Sequence, residues 1–193
     1  MPVTPKANSL FPALAPEGLT DQRRQEKKSS VIDVKQLRQT SFRRRYFGRA
    51  LHVVDIENLA GTGLPTLTRV SEVQGQYLAC LRFGAGDQVV LAASHIALLN
   101  AGLGWPHARY RVRSGKNGAD LELIDVLEHE NVAARFGHVV IGSGDGGFTA
   151  IAASLATHGI HVTVVSRWGS LAQELAKVAG DVIYLDGPLA AAA

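Results

Sequence analysis

Three aspartates stand at places in the chain where chemistry could be done. Asp55 directly follows a short β-rich run at 51–54, Asp145 follows another at 138–141, and Asp120 opens a helical pattern after a glycine-rich turn. Because the loops after parallel strands converge at one edge of a sheet, we expect the three carboxylates to meet there. Carboxylates gathered without matching bases repel one another, so they either take up protons or bind a cation.

The chemistry that such a cluster supports is divalent-metal catalysis. Carboxylate oxygens and water are the usual ligands of Mg²⁺ and Mn²⁺. A cation held in this way polarises a phosphoryl oxygen and activates water for in-line attack on a phosphodiester. The aspartates therefore predict nuclease chemistry without a covalent intermediate.

Alternating β-rich runs and helical periods must position these side chains. The pattern predicts an α/β fold of the Rossmann-like kind, with three layers: an open, mainly parallel sheet and helices on both faces. We expect strands near 51–55, 88–92, 109–112, 138–141, 162–165 and 182–185. We expect helices near 65–83, 95–99, 120–129, 146–157 and 170–178.

The length of 193 residues suits one core, and 46% hydrophobic against 19% charged residues indicates a folded chain. Residues 1–48 hold ten Lys/Arg and four Asp/Glu, and they read as a basic, largely disordered arm. The ordered domain is predicted over 49–187, where the balance of charge is negative, and 188–193 read as a disordered tail.

The compartment is predicted from cysteine usage and hydropathy. Cys80 is the single cysteine, which excludes an intramolecular disulfide framework and a cysteine-based zinc site. No apolar run reaches the roughly 20 residues of a membrane helix, and the first 20 residues do not read as a secretory signal. We expect a cytoplasmic protein with no membrane partner.

Several segments, in this order, closely resemble the NYN domain, a PIN-like ribonuclease fold that includes LabA-like bacterial proteins. The segments are Val54-Asp55-Ile56-Glu57-Asn58-Leu59, Gly118-Ala119-Asp120-Leu121 and Ser143-Gly144-Asp145-Gly146-Gly147-Phe148, followed by a helix and a valine-rich strand. The resemblance covers roughly 51–185. It implies a Mg²⁺- or Mn²⁺-dependent ribonuclease that acts on RNA, with single-stranded RNA as the expected partner.

The resemblance also implies roles for individual residues. Asp55, Asp120 and Asp145 would hold the metal and carry catalysis. Asn58 would orient a ligand or water, Ser143 would support its loop, and Asp181 is an outer candidate.

One departure from the family pattern concerns Gly147, where many relatives have a second aspartate. The site would then hold one metal weakly or need substrate to complete it.

Basic side chains are candidates for binding RNA phosphates. Arg109, Arg111 and Arg113 alternate along a predicted strand, Lys116 follows in the turn, and Arg43, Arg44 and Arg45 form a run in the arm. Equally, the strand arginines could keep an exposed sheet edge soluble, and the arm could be a solubilising tail. Trp105 and Trp168 could stack on bases, although packing is the more common use of such residues.

Two other interpretations of the acidic and glycine-rich segments stay open. Asp120 or Asp145 could simply cap a helix. Gly142, Gly144 and Gly147 form a G-x-G-x-x-G between a strand and a helix, which is typical of NADP-type dinucleotide binding, with Arg167 placed for a 2′-phosphate. Against this interpretation, Asp145 would put a negative charge in the pyrophosphate loop.

A non-catalytic module is the remaining class of function. In it the fold is kept, the metal site is degraded at Gly147, and the basic arm binds RNA or a partner protein. An exposed apolar surface could also join two copies in a homodimer, although the sequence does not locate that surface.

Overall fold

Six parallel strands form the centre of the part of the chain that the structure, a computed structural model, describes: residues 48–186. The strands are β1 (Ala50–Asp55), β2 (Gln88–Ala93), β3 (Arg109–Val112), β4 (His138–Gly142), β5 (His161–Ser166) and β6 (Asp181–Tyr184). Their order in the sheet is β3-β2-β1-β4-β5-β6, and every neighbouring pair is parallel. The predicted α/β class is confirmed, and the sheet is parallel throughout rather than mainly so.

Seven helices connect the described strands. They are α1 (Ile56–Ala60), α2 (Leu67–Cys80), α3 (Leu98–Gly104), α4 (Gly118–His129), α5 (Val132–Arg135), α6 (Thr149–Thr157) and α7 (Gln173–Val178). A 3₁₀ turn, Gly146–Phe148, precedes α6.

Helix boundaries differ from the sequence-based expectation in several places. The helix expected at 65–83 is preceded by α1, which begins at the Asp55 cap and ends at Gly61 in the left-handed conformation. The helix expected from 146 begins as a 3₁₀ turn, and those expected at 95–99 and from 170 begin at Leu98 and Gln173.

Two apolar layers cover the two faces of the sheet, as the alternation of side chains along each strand requires. On one face Val53, Val90 and Ile141 pack with helix residues of α4 and α6. On the other face Val54 and Leu91 pack with residues of α1, α2 and α3. The result is the predicted arrangement of helices on both faces.

The order in which strands are added to the sheet reverses between β1 and β4, which makes this point the topological switch point of the sheet. Strands β2 and β3 are added on one side of β1, and β4, β5 and β6 follow on the other. Such a reversal opens a crevice beyond the carboxyl ends of the two central strands, which is where ligands bind in open α/β sheets. The end of β1 is Asp55, and β4 leads into the loop that holds Asp145.

Residues 1–47 and 187–193 lie outside the described part of the chain. The predicted arm, with Arg43, Arg44 and Arg45, and the predicted tail therefore stay predictions. Among residues 48–186, no helix combines the length and the apolar character needed to cross a bilayer.

Candidate active site

Asp55 lies at the carboxyl end of β1 and is 6% exposed. Its Oδ1 accepts hydrogen bonds of 3.0 Å from the backbone N–H groups of both Glu57 and Asn58. These bonds cap α1 and hold the carboxylate in one orientation at the edge of the sheet. The central strand thus delivers a fixed carboxylate to the crevice.

Asp120 enters from the third position of α4 and is 8% exposed. The helix begins after Asn117, which is left-handed (φ 57°), and Gly118 lies so close to the Arg113 carbonyl that a Cβ there would overlap it. Asp120 does not cap the helix, and its Oδ1 is buried with no hydrogen-bond partner. A carboxylate oxygen in that position is costly unless it carries a proton or meets a cation.

Asp55 and Asp120 are within hydrogen-bonding reach of one another. Burial raises the pKa of Asp120 to about 7, and the negative charge of Asp55 adds to the shift. Burial also raises the pKa of Asp55, although the N–H of Asn58 offsets part of that rise. In the absence of a cation, the pair is therefore expected to share a proton near neutral pH.

Asp145 caps the 3₁₀ turn after β4, because its Oδ1 accepts the N–H of Gly147 at 2.6 Å. Its own N–H donates to the buried Ser143 Oγ at 3.2 Å, and the next residue back, Gly144, donates its N–H to Asn58 Oδ1 at 3.0 Å. Ser143 and Asn58 thus fix the loop. The negative charge of Asp145 contributes to the raised pKa of Asp120, which brings the third aspartate within electrostatic range.

Glu57 is a fourth carboxylate at this edge, although the sequence patterns did not assign it to the site. Its charge raises the pKa values of Asp55 and Asp120, and its Oε1 accepts the N–H of Ser94 at 2.8 Å. The sequence signal that could have identified Glu57 was its position two residues after Asp55, in the short helix that follows the end of β1.

The donor set suits a hard divalent cation, although the ligands are not fully assembled. Within residues 48–186, no three His, Cys, Asp or Glu side chains are close enough together to hold a metal ion as they stand. The paired Asp55 and Asp120, with the unpartnered Oδ1 of Asp120, supply two carboxylates. Mg²⁺ is commonly held by one or two carboxylates together with substrate phosphates and water, so the residues present fit a cation that substrate helps to bind.

Two predicted RNA-binding arginines make ion pairs with α4. Arg111 lies in the edge strand β3, and Arg113 directly follows that strand. Arg111 contacts Glu122 at 3.0 Å and Asp125 at 2.8 Å, and Arg113 lies 3.9 Å from Glu122. Arg113 and Lys116 are nevertheless exposed. The interpretation that the strand arginines keep an exposed sheet edge soluble therefore fits Arg111. Arg113 and Lys116 lie in the loop that leads to Asp120.

Asp181 is not brought to the site, which corrects the assignment implied by the resemblance. It is the first residue of β6 and lies 2.9 Å from His161 Nε2, and His161 begins β5. Because the six described strands are parallel, their amino-terminal ends all lie on the side of the sheet opposite to the carboxyl-terminal ends, where Asp55 and Asp145 are found.

The glycine-rich loop after β4 is already occupied by protein groups, which disfavours dinucleotide binding. The N–H groups of Gly144, Asp145 and Gly147 donate to side-chain oxygens of Asn58, Ser143 and Asp145. Gly144 also permits close contact with the Ser170 carbonyl. The glycines thus serve packing and the acidic loop, and these N–H groups are not presented to a pyrophosphate.

Comparisons with known proteins agree with this fold. A solved structure of a Vibrio parahaemolyticus protein of unknown function superposes with a TM-score of 0.50 at 15% identity, covering 72% of this chain and 94% of that one. No curated protein sequence matches significantly. Residues 86–186, just over half of the chain, match the NYN domain; this range includes Asp120 and Asp145, and Asp55 precedes it. The chain therefore belongs to the NYN domain family, a PIN-like nuclease family.

Proposed function

We propose that this protein is a divalent-metal-dependent ribonuclease that hydrolyses single-stranded RNA. Asp55, Asp120 and Asp145 would hold the Mg²⁺ or Mn²⁺. The observation that carries the proposal is the buried Asp55–Asp120 pair, with one carboxylate oxygen left without a donor, in the crevice between the central strands. Family membership gives the nuclease class independently.

The protein groups have distinct tasks in this proposal. A divalent cation, when bound, would polarise the phosphodiester and lower the pKa of water. Asp55 is held by two N–H groups, so it offers a fixed carboxylate. Burial raises the pKa of Asp120 to about 7, so near neutral pH a cation would compete with a proton for this carboxyl group. Ser143 and Asn58 keep the Asp145 loop in place.

The test compares cleavage of labelled single-stranded RNA and Mn²⁺ binding by calorimetry in the wild type and in Asp55→Asn and Asp145→Asn. Asparagine keeps the Oδ1 that accepts the capping N–H groups while it removes the charge, so folding should be preserved. We expect cleavage to fall at least about a hundredfold in both variants and Mn²⁺ binding to be lost in Asp55→Asn.

Asp181→Asn is the matched control, because it removes a carboxylate at the opposite edge of the sheet. It should cleave RNA like the wild type. Undiminished cleavage in Asp145→Asn would refute the site assignment, and a wild type that neither binds Mn²⁺ nor cleaves RNA would refute the nuclease proposal.

The second candidate is a non-catalytic RNA- or protein-binding module, which Gly147 favours because the resemblance to the NYN domain implies a second aspartate at this position in many relatives. The absence of a three-ligand group among residues 48–186 agrees with it. RNA binding that needs no divalent cation and survives both asparagine substitutions would support this candidate. The cytoplasmic location and the homodimer stay predictions from sequence.

A further inference from the structure

The two tryptophans have opposite environments. Trp105 is 2% exposed and packs against Tyr77 in the core, with ring centroids 5.2 Å apart. Trp168 is 58% exposed, and its ring meets Tyr184 edge-on at 4.8 Å and 67°. Trp105 is therefore a packing residue, whereas one face of the Trp168 indole is available to a ligand.

The backbone that carries Trp168 is fixed by hydrogen bonds. The N–H of Trp168 donates to Asp186 Oδ1 at 2.6 Å, and the N–H of Ser170 donates to the Arg167 carbonyl at 3.2 Å. Gly169 completes the turn with a left-handed φ of 76°. A turn whose backbone is held in this way loses little conformational entropy when it binds a ligand.

This turn lies beside the acidic loop. Gly142 of β4 is paired with Val165 of β5 on neighbouring parallel strands, and Asp145 and Trp168 each lie three residues beyond that pair, in the loops that follow the two strands. The Ala172 N–H donates to the Gly144 carbonyl at 2.9 Å, which joins the two loops.

Arg167 adds a positive charge at the same position. Its Nε donates to the Asn58 carbonyl at 2.9 Å, so the guanidinium is fastened to the carboxyl-terminal end of α1, the helix that Asp55 caps. An exposed aromatic face beside a cation, at the rim of an acidic site, matches the way in which proteins bind single-stranded nucleic acid.

We propose that Trp168 is a stacking platform for one base of the single-stranded RNA whose phosphate lies at the carboxylates, with Arg167 as the neighbouring cation. The proposal rests on the proposed ribonuclease function and adds a binding subsite to it. Stacking is sequence-tolerant because every base has a π-face. It also excludes duplex RNA, in which the bases already stack on one another.

The segment that carries Trp168 offers one exposed aromatic ring rather than several exposed apolar side chains. Among the described residues beyond position 138, Trp168 is the one large hydrophobic side chain that is strongly exposed. Contiguous apolar patches mark protein interfaces, and a single aromatic ring beside a cation does not form one.

The test measures binding of a fluorescein-labelled octauridylate by anisotropy, with Ca²⁺ in place of Mn²⁺, for the wild type, Trp168→Ala and Trp168→Phe. We expect Kd to rise about tenfold for alanine and to stay within about threefold for phenylalanine. The emission of Trp168 should be quenched by RNA in a Trp105→Phe background. Leu103→Ala, which removes an exposed apolar side chain of α3, is the control and should bind like the wild type.

An oligomer that has the ribose-phosphate backbone but no bases separates stacking from charge. This base-free oligomer should bind the wild type and Trp168→Ala with the same Kd. If Trp168→Ala instead weakened binding of the base-free oligomer as much as binding of octauridylate, the stacking platform would be overturned. An unchanged Kd for octauridylate would also overturn it. Mn²⁺-dependent cleavage by the wild type is measured separately. If the wild type cleaves RNA and Trp168→Ala binds RNA unchanged, the ribonuclease proposal is supported and the stacking platform is refuted. If binding depends on Trp168 but no RNA is cleaved, the ribonuclease proposal is refuted and the binding subsite is supported.

Discussion

The buried carboxyl of Asp120 is the least favourable group in the candidate site when no cation is present. It is nearly inaccessible, it lies beside Asp55, and its Oδ1 has no donor. Ionising it in that environment costs more than in the unfolded chain, where water solvates the charge. The buried pair thus lowers the stability of the fold, and the loss should depend on pH.

Asp120→Asn should remove that pH dependence. The pKa of Asp120 is raised to about 7 by burial and by Asp55, so the folded state binds more protons than the unfolded state between about pH 4 and pH 7. Stability therefore falls as the pH rises through that window. In EDTA, the wild type should unfold at a lower temperature near pH 8 than near pH 5.

The asparagine variant should be more stable than the wild type near pH 8, by on the order of 2 kcal/mol. Thermal unfolding across this range measures the effect, and Glu128→Gln, which removes an exposed carboxylate of α4, serves as control. Parallel pH profiles for Asp120→Asn and the wild type would show that Asp120 titrates normally.

The sequence predicts that the three aspartates converge because strand ends and helix starts are local features, and in the structure Asp120 lies beside Asp55 while the charge of Asp145 reaches it. Glu57 was missed because its contact with Ser94 depends on β2 lying beside β1, which no local pattern states. The assignment of Asp181 was wrong because a position in a family motif says nothing about which end of a strand faces the site. The raised pKa of Asp120 could not be predicted either, since it depends on burial and on a partner 65 positions away.

At the level of elements, the loops after β4 and β5 meet at Gly144. A Cβ on this residue would overlap the Ser170 carbonyl and the Ser166 hydroxyl. The close approach allows the Ala172 N–H to bond the Gly144 carbonyl. The loop of Asp145 and the turn of Trp168 therefore share one backbone contact.

Gly144→Ala should separate these loops. We expect a loss of about 1–3 kcal/mol in the free energy of unfolding, because the overlap is with backbone that cannot rotate away. Gly146→Ala is the matched control in the same loop, where a Cβ would make an ordinary 3.4 Å contact with Ala172. Urea unfolding of the two variants makes the comparison, and equal stability would mean that the loop relaxes without loss.

The elements themselves were largely predictable, whereas their boundaries and their arrangement were not. All six strands lie where β-rich runs predict them. The five-residue α1 is too short to show a helical period, and it exists because Asp55 caps it and Gly61 ends it. The strand order with β1 in the centre is a long-range property that alternating runs do not specify.

Across the whole molecule, charge is divided unevenly along the sequence. Residues 1–48 carry an excess of six positive charges, and the remainder carries an excess of three negative charges. An acidic site on a negative domain repels a polyanion at long range. The basic run in the N-terminal part of the chain would then supply the sequence-independent attraction to RNA.

Replacing Arg43, Arg44 and Arg45 with alanine should weaken RNA binding most at low salt. The slope of log K against log salt should become shallower by about 0.7 for each phosphate that the variant no longer neutralises, while cleavage of bound RNA in a single turnover should be unchanged. Lys177→Ala is a control, since the last turn of α7 leads to the start of β6, at the opposite edge from the site. An unchanged salt slope in the triple variant would assign the arm a role other than RNA binding.

The central place of β1 also matters during synthesis of the chain. Of the six described strands β1 leaves the ribosome first, and it can pair with β2 once residue 93 has emerged. Its other edge stays open until β4, at 138–142, has been made. An open edge with apolar side chains invites mispairing with other chains. Of the interior strands of the sheet, the one that delivers Asp55 thus waits longest for its second partner, and we expect shielding of that edge by a chaperone to raise the yield of folded protein.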